Sequence, residues 1–392
     1  MTTSNSDYLF RLLQRLSSFR LACNLSSAQV EERLILGSGW VSAVEAGNIH
    51  PSLDVIASML SVYGKTLTDL AEEMDGSVPH IHRSIAAKTV SNALDIQFTY
   101  AKYDATYQLA NATLEQFTDF LLTLRNGLAQ LSSQNVSVAQ GKSIKTESVA
   151  GTFLKAVQLW STANPSDLWW FLTYRAYCDP YNHPSEHSRL DFAQSWKRTG
   201  GWALERILER HYGSTLAAYG INLVIADTER KVHLLANIDI GHRLEADKMD
   251  VLLTVGSGNT EKLLGVVHVK ASFAERRTDD VPMSKALVDA GYISPLWTMD
   301  CKSTPSSRPV NRGELGNTFS GQGIDGRSAK RKDIEDDGFF SACFSYNKNT
   351  EPTPTSYPAK AKIFVCDFSN PNDAFTNFIV SECQRVRTRL GI

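Results

Sequence analysis

The 392-residue chain has no run approaching the ~18–20 uninterrupted apolar residues of a membrane span. Its N-terminus, MTTSNSDYLFRLLQRL, lacks the pattern of a secretory signal. Arg11 and Arg15 interrupt the apolar run, and no small-residue cleavage site follows. The six cysteines (Cys23, Cys178, Cys301, Cys343, Cys366, Cys383) are scattered and none forms a CxxC pair. That excludes a cysteine zinc site and a disulfide framework, and fits the reduced thiols of a cytoplasmic protein. Net charge is nearly missing too, with 40 Lys+Arg against 42 Asp+Glu and a formal charge of -2. Such a balance excludes a uniformly basic nucleic-acid coat and an acidic tail protein, yet it leaves room for a local basic face. The histidines show no nucleophile–base–acid arrangement with a serine. The glycine-rich GQGIDG (321–326) has neither the lysine nor the strand context of a phosphate-binding loop.

What is present is enough apolar material, 42% of residues, to bury a core. The length suggests two or three domains. Residues 8–76 carry apolar side chains at helical spacing: Leu9, Leu12, Leu13, Leu16, Phe19, then Val30 and Leu34, then Leu53, Ile56, Ala57 and Leu60. Short breaks at NLSS (24–27), GSG (37–39), GNIHPS (47–52) and GKTL (64–67) divide them into about five helices, with Ser26 or Ser27 and Ser52 or Asp54 near helix starts. The segment 26–73, with Gln29, a tight turn at Gly37, the Val41…Glu45-Ala-Gly47-Asn48 run and Pro51-Ser52-Leu53, resembles the helix-turn-helix domain of the lambda-repressor/Cro type. The resemblance implies that a third helix, about Gly39 to Ala46, enters the major groove. Its outward candidates, Ser38, Gly39, Trp40, Ser42 and Ala43, include no Arg, Lys, Asn or Gln, the usual base readers. Trp40 and Ser42 are therefore candidate DNA contacts, and Trp40 is equally a candidate packing residue.

Residues 77–189 read as a second, helical region serving packing or dimerisation. Leu94, Phe98, Ala101, Tyr107, Leu109, Leu114, Phe117, Leu121, Leu124 and Leu128 suggest one or two long helices. The Ser/Gln-rich stretch 132–148 reads as a linker, and a further helical block at 149–177 brings Trp160, Trp169 and Trp170 to the core. From 190 to 392 the texture changes. An amphipathic helix (195–221) precedes β-rich runs at 221–226, 231–238, 249–255 and 262–272, then a helix at 283–292, strands at 295–301, 339–346 and 361–368, and a closing helix. This is an α/β pattern around a mostly buried mixed sheet. Residues 302–337 are polar, glycine-rich and basic, and read as a long loop, functional or disordered.

The chemistry lies in DKMDVLLTV followed by LLGVVHVKAS. Asp250 fronts an apolar strand, and Lys270 ends the next strand 20 positions later. Phosphodiester hydrolysis with a metal needs carboxylates to hold the ion and a cation to stabilise charge or position water. Neighbouring strands can bring Asp250 and Lys270 together, and an upstream helix can add Glu205. This set resembles the PD-(D/E)XK nucleases of many type II restriction endonucleases. The surrounding sequence, HVKASFAERRTDDVPMSKALVDAGYISPLWTMDCKS with RTGGWALERILERHYG and DDGFFSACFSYN, resembles the BsaWI type, related to the CCGG-cutting enzymes, over about 190–390.

The resemblance implies Mg²⁺-dependent hydrolysis of double-stranded DNA at a short palindrome by a homodimer, alongside a cognate DNA methyltransferase. Asp250 and Glu205 would hold Mg²⁺, and Lys270 would position water. One departure stands out: the position two before the lysine, normally acidic, is His268. Histidine can bind a metal or handle a proton, but Mg²⁺ prefers oxygen. The missing acid is then sought at Glu205, Glu275 or Asp280. By the same resemblance Glu275, Arg276 and Arg277 would read central base pairs, Arg forking onto guanine and the acid accepting from cytosine. Phosphate contacts are further open candidates at Arg308, Arg312, Arg327, Lys330, Arg331, Lys332, Arg385, Arg387 and Arg389. His268 and the polar-poor recognition helix also admit a rival, a helix-turn-helix transcriptional regulator with an inactive nuclease-like domain.

Overall fold

A computed structural model describes residues 5–73, 84–100, 103–133, 135–184, 187, 191–236, 238, 246–272, 277–301, 308–318 and 325–391. The chain divides into two compact units, Met1–Arg83 and Ser84–Ile392.

The first unit is all-helical: α1 (Asn5–Ala22), α2 (Ser27–Leu34), α3 (Trp40–Glu45), α4 (Leu53–Val62) and α5 (Leu67–Glu73). Its core joins Leu13, Leu16, Phe19, Val30, Val41, Val44, Met59 and Leu60. Ser26 caps α2 through a capping box with Gln29, and Ser52 caps α4. The left-handed residues of the α2–α3 turn are Ile35 (φ +55°) and Gly39 (φ +81°), not the expected Gly37. The helix before the turn closes it: the buried Glu31 carboxylate accepts from the Gly39 and Val41 amides at 3.1 and 2.9 Å. An acid at a helix start satisfies orphan amides and complements the helix dipole. Glu45 anchors the other end through a two-pronged pair with Arg20, at 2.7 and 2.8 Å.

The second unit opens on an antiparallel meander, β1 (Ile85–Val90), β2 (Ala93–Tyr100) and β3 (Tyr103–Ala110), where long helices were expected. The reason is a shared harmonic. Leu94 and Phe98 sit four apart, which suits a helix face and a strand face alike, but buried Ile96 between them fits only period two. Helices follow: α6 (Leu114–Ala129), α7 (Val138–Leu159), α8 (Pro165–Asp167), a π-helical turn (Leu168–Thr173), α9 (Tyr174–Cys178) and α10 (Phe192–Ala217). The expected linker at 132–148 is largely α7, because Ser137 and Gln140 form a capping box that starts it.

Then come β4 (Asn222–Val224), α11 (Thr228–Leu235), β5 (Val251–Val255), β6 (Lys262–Lys270), α12 (Arg277–Asp289), β7 (Leu296–Thr298), α13 (Ala329–Glu335), β8 (Cys343–Ser345), β9 (Ile363–Val365) and α14 (Ala374–Leu390). Residues 231–238, expected as a strand, belong mostly to α11, which Asp227 caps. The long basic stretch 302–337 contains α13, capped by Ser328. The sheet order is β4-β5-β6-β7-β8-β9, antiparallel through β6 and parallel from β6 onward. β6 is buried beyond its first residue, and a Cβ at Gly265 would overlap the Ile293 carbonyl that bridges to it. One core runs from Ile85 to Val386, so the segments on either side of residue 190 share it.

Candidate active site

Register brings the site together. β5 and β6 pair with Val251 opposite Val267, which puts Asp250 across from His268 and diagonal to Lys270. The Asp250 carboxylate accepts from the Val269 amide at 2.8 Å and from Lys270 Nζ at 2.6 Å. Both side chains are largely buried, at 12% and 8% exposure. A bond to an ionised group at this depth is strong because little water competes for it.

Two more carboxyls converge. Asp280, on α12, places Oδ2 3.5 Å from Lys270 Nζ, and that oxygen is buried without a hydrogen-bond partner among the described residues. Burial works to raise its pKa, but the His268 imidazole and the Lys270 ammonium outweigh this and hold it below the ordinary carboxylate value. Glu205, on α10, is pushed up to about 7, chiefly by burial and then by the Asp250 charge; Lys231, Lys270 and Lys142 oppose the shift. A carboxyl poised near neutrality beside a second acid is a mark of a functional site. Among the described residues no group of three or more His, Cys, Asp or Glu is spaced to hold a metal by itself.

His268 lies behind this group, fully buried. Its Nε2 is 2.9 Å from Ser294 Oγ, which bonds Ser284 Oγ at 2.8 Å, and the ring packs edge-on to Phe340. Its Nδ1 stands 3.9 Å from Asp280 Oδ1, too long for a hydrogen bond. The imidazole is therefore wedged between a serine pair and an acid.

Other expected contacts fall out differently. Glu275 and Arg276 lie outside the described residues. Arg277 begins α12, but its side chain is outside them. Arg308 and Arg312 are exposed. Arg331 is fully buried and bonds Glu335, and Arg327 pairs with Asp325, Glu335 and Asp336. Lys330 pairs with Glu314, and Lys332 with Asp325. Arg387 bonds the carbonyls of Tyr219 and Gly220, Arg389 that of Ala290, and Arg385 pairs with Glu382. These partners within the chain tie the side chains of Arg327, Lys330, Arg331, Lys332, Arg385, Arg387 and Arg389 to the fold. In the first unit Trp40 is half-buried against the helical core and Ser42 is exposed. Sequence reasoning missed Lys142 and Lys231; neither sits in a motif, and only the tertiary arrangement brings them near Glu205.

A helix-turn-helix domain family model matches residues 11–84. The type II restriction enzyme AgeI of Thalassovita gelatinovora is 36% identical over 262 residues, covering 64% of this chain and 90% of that enzyme. A crystal structure of the specific AgeI–DNA complex aligns with a TM-score of 0.62 at 32% identity, over 74% of this chain and 99% of that one. The pre-specific BsaWI–DNA complex aligns with a TM-score of 0.34 at 15% identity, over 70% of this chain and 94% of that one. Mixed sheet, buried acid–lysine pair and sequence likeness together define a site-specific endonuclease. The chain belongs to the family of the type II restriction enzyme AgeI.

Proposed function

We propose that this enzyme cleaves double-stranded DNA at a short palindrome in a Mg²⁺-dependent reaction, as a homodimer whose two-fold axis matches that of the site. The observation that carries the reading is the buried Lys270–Asp250 pair with Asp280 and Glu205 around it. The solved AgeI relative is a complex with DNA, which supports the substrate class. A CCGG-like core and membership of the PD-(D/E)XK superfamily follow the sequence resemblance. A cognate methyltransferase and action in the cytoplasm, where the chromosome lies, complete the proposal. No helix among the described residues is long and apolar enough to cross a membrane.

Mg²⁺ is commonly held by one or two carboxylates with waters completing its shell. Asp250 and Asp280 fit that demand, and Asp280 Oδ2, which accepts no hydrogen bond among the described residues and is paired with Lys270 only at 3.5 Å, is the better seat for the displaced acid. Glu205 supplies a further oxygen from the facing helix. When bound, the ion would supply charge stabilisation at the phosphate and a more acidic water. Lys270 would orient the attacking water and stabilise charge developing on the phosphate oxygens. Asp250 holds the ammonium in place. His268 acts from behind as a positioning residue, keeping Asp280 on the Lys270 side. Glu275, Arg276 and Arg277, just beyond the lysine, are proposed to read bases. The helix-turn-helix unit, through Trp40 and Ser42, is proposed to add DNA contacts outside the cut site.

Plasmid and mixed genomic DNA incubated with Mg²⁺, followed by sequencing of the ends, tests this reading. Discrete fragments with one end sequence are expected, lost with EDTA and in Asp250→Ala and Lys270→Ala. Wild-type protein that binds duplex but cuts none of these DNAs would refute it.

A further inference from the structure

Helix α7 lies outside the acid–lysine cluster itself, yet it delivers a cation to its edge. Lys142, exposed in its first turns, stands 4.2 Å from the ring centre of Trp202. An aromatic face under an ammonium fixes a flexible side chain while leaving its charge available. Trp202 lies one turn before Glu205 on α10. Four residues before Trp202 and seven before Glu205, on the same stripe of that helix, is exposed Arg198. From the sheet side, Lys231 on α11 donates to the Met249 carbonyl at 2.5 Å, which ties its ammonium to the residue preceding Asp250. The charges of Lys142 and Lys231 both act on Glu205. Arg327, Arg331 and Arg385 are engaged by acids, whereas these three cations form no ion pair among the described residues. Two cations on separate helices thus act on one carboxyl of a site whose reactant is a polyanion, and a third, Arg198, lies about two turns before that carboxyl on the same helix stripe.

We propose that Lys142, Arg198 and Lys231 form a track for the sugar–phosphate backbone of duplex DNA beside the reacting phosphodiester, with Trp202 as the platform that fixes Lys142. The proposal rests on the endonuclease reading and deepens it. It gives the helical segment before residue 190 a place in substrate binding. Contacts of this kind set affinity and register without reading bases.

The test is salt dependence. Full-length protein binds a short fluorescent duplex carrying the sequence that the wild type cuts, in EDTA so that no strand is broken, over a range of salt concentrations. Each residue occurs twice in the proposed homodimer, so Lys142→Gln and Arg198→Gln are each expected to flatten the slope of log affinity against log salt by about 1.8, and the double variant by about 3.6. Lys142→Arg keeps the charge and the wild-type slope. Lys155→Gln, which removes a charge paired with Asp119 elsewhere on α7, leaves the slope unchanged. Wild-type slopes in both glutamine variants overturn the track while cleavage by the wild type leaves the endonuclease reading standing. An affinity loss equal at every salt concentration also overturns it, since that marks lost packing on Trp202. A wild type that cuts no duplex refutes both.

Discussion

Replacing Glu205 by glutamine is expected to make this enzyme more stable and less active at once. The carboxyl is raised from 4.5 to about 7 in the folded protein, first by burial and then by Asp250. Between these two values the native state keeps a proton that the unfolded chain has released. Stability contributed by the protonated form is therefore complete below pH 4.5 and is lost as pH rises through about 7, above which it changes no further. Raising the carboxyl from 4.5 to about 7 corresponds to about 3 kcal/mol of penalty above neutrality, at about 1.4 kcal/mol for each tenfold change in proton affinity. Glu205→Gln carries no charge to bury. At pH 8 in EDTA it should unfold with a free energy about 2–3 kcal/mol above wild type, and near pH 4.5 the two should match. Denaturant titrations at both pH values read this directly. Cleavage with Mg²⁺ at pH 8 should meanwhile fall by about a hundredfold or more, as a charged oxygen beside the reacting phosphate is lost. Equal stability at pH 8 would refute the buried, acid-flanked placement of Glu205. A more stable variant that cuts at the wild-type rate would refute its place in the machinery.

His268→Phe should lower kcat by about tenfold or more with the KM for DNA unchanged, because it removes a group that positions Asp280 and contacts no substrate; steady-state kinetics would expose a binding role as a KM effect instead. Glu31→Ala should destabilise the first unit by about 1–2 kcal/mol through loss of the two hydrogen bonds that the Gly39 and Val41 amides donate to it at the start of α3, measured by thermal unfolding of the isolated compact unit 1–83 alongside the full chain. Gly265→Ala should destabilise the second unit by about 2–4 kcal/mol, since its Cβ would collide with the Ile293 backbone, and calorimetry of the full chain would show which transition moves.

Much of the fold was legible along the chain. The five short helices of the first unit, the caps at Ser26 and Ser52, and the strands at 249–255 and 262–272 follow from local periodicity and helix-start chemistry. The meander at 85–110 did not, because Leu94 and Phe98 satisfy both periods and single-sequence reading cannot weigh Ile96 without knowing what covers it. The linker reading at 132–148 failed for a related reason: Ser137 and Gln140 are polar, but as a capping pair they start a helix.

The candidate site divides in the same way. Asp250 and Lys270 could be paired from sequence because adjacent antiparallel strands leave few registers, and one register places them diagonally. Asp280 could be named only as one acid among several, since a residue ten positions past a strand end reaches back only if α12 packs against β6. The basic residues show the limit most plainly. Arg327, Arg331 and Arg387 were phosphate-contact candidates by composition; Arg327 and Arg331 pair with the buried Glu335, and Arg387 donates to the exposed Gly220 carbonyl. Lys142 and Lys231 belonged to no motif, and packing alone brought them to Glu205. Local spacing along one chain determines periodicity, caps and strand pairs. Whether a charge is neutralised inside the fold or presented to a ligand depends on partners far away in sequence, so only the tertiary structure decided it.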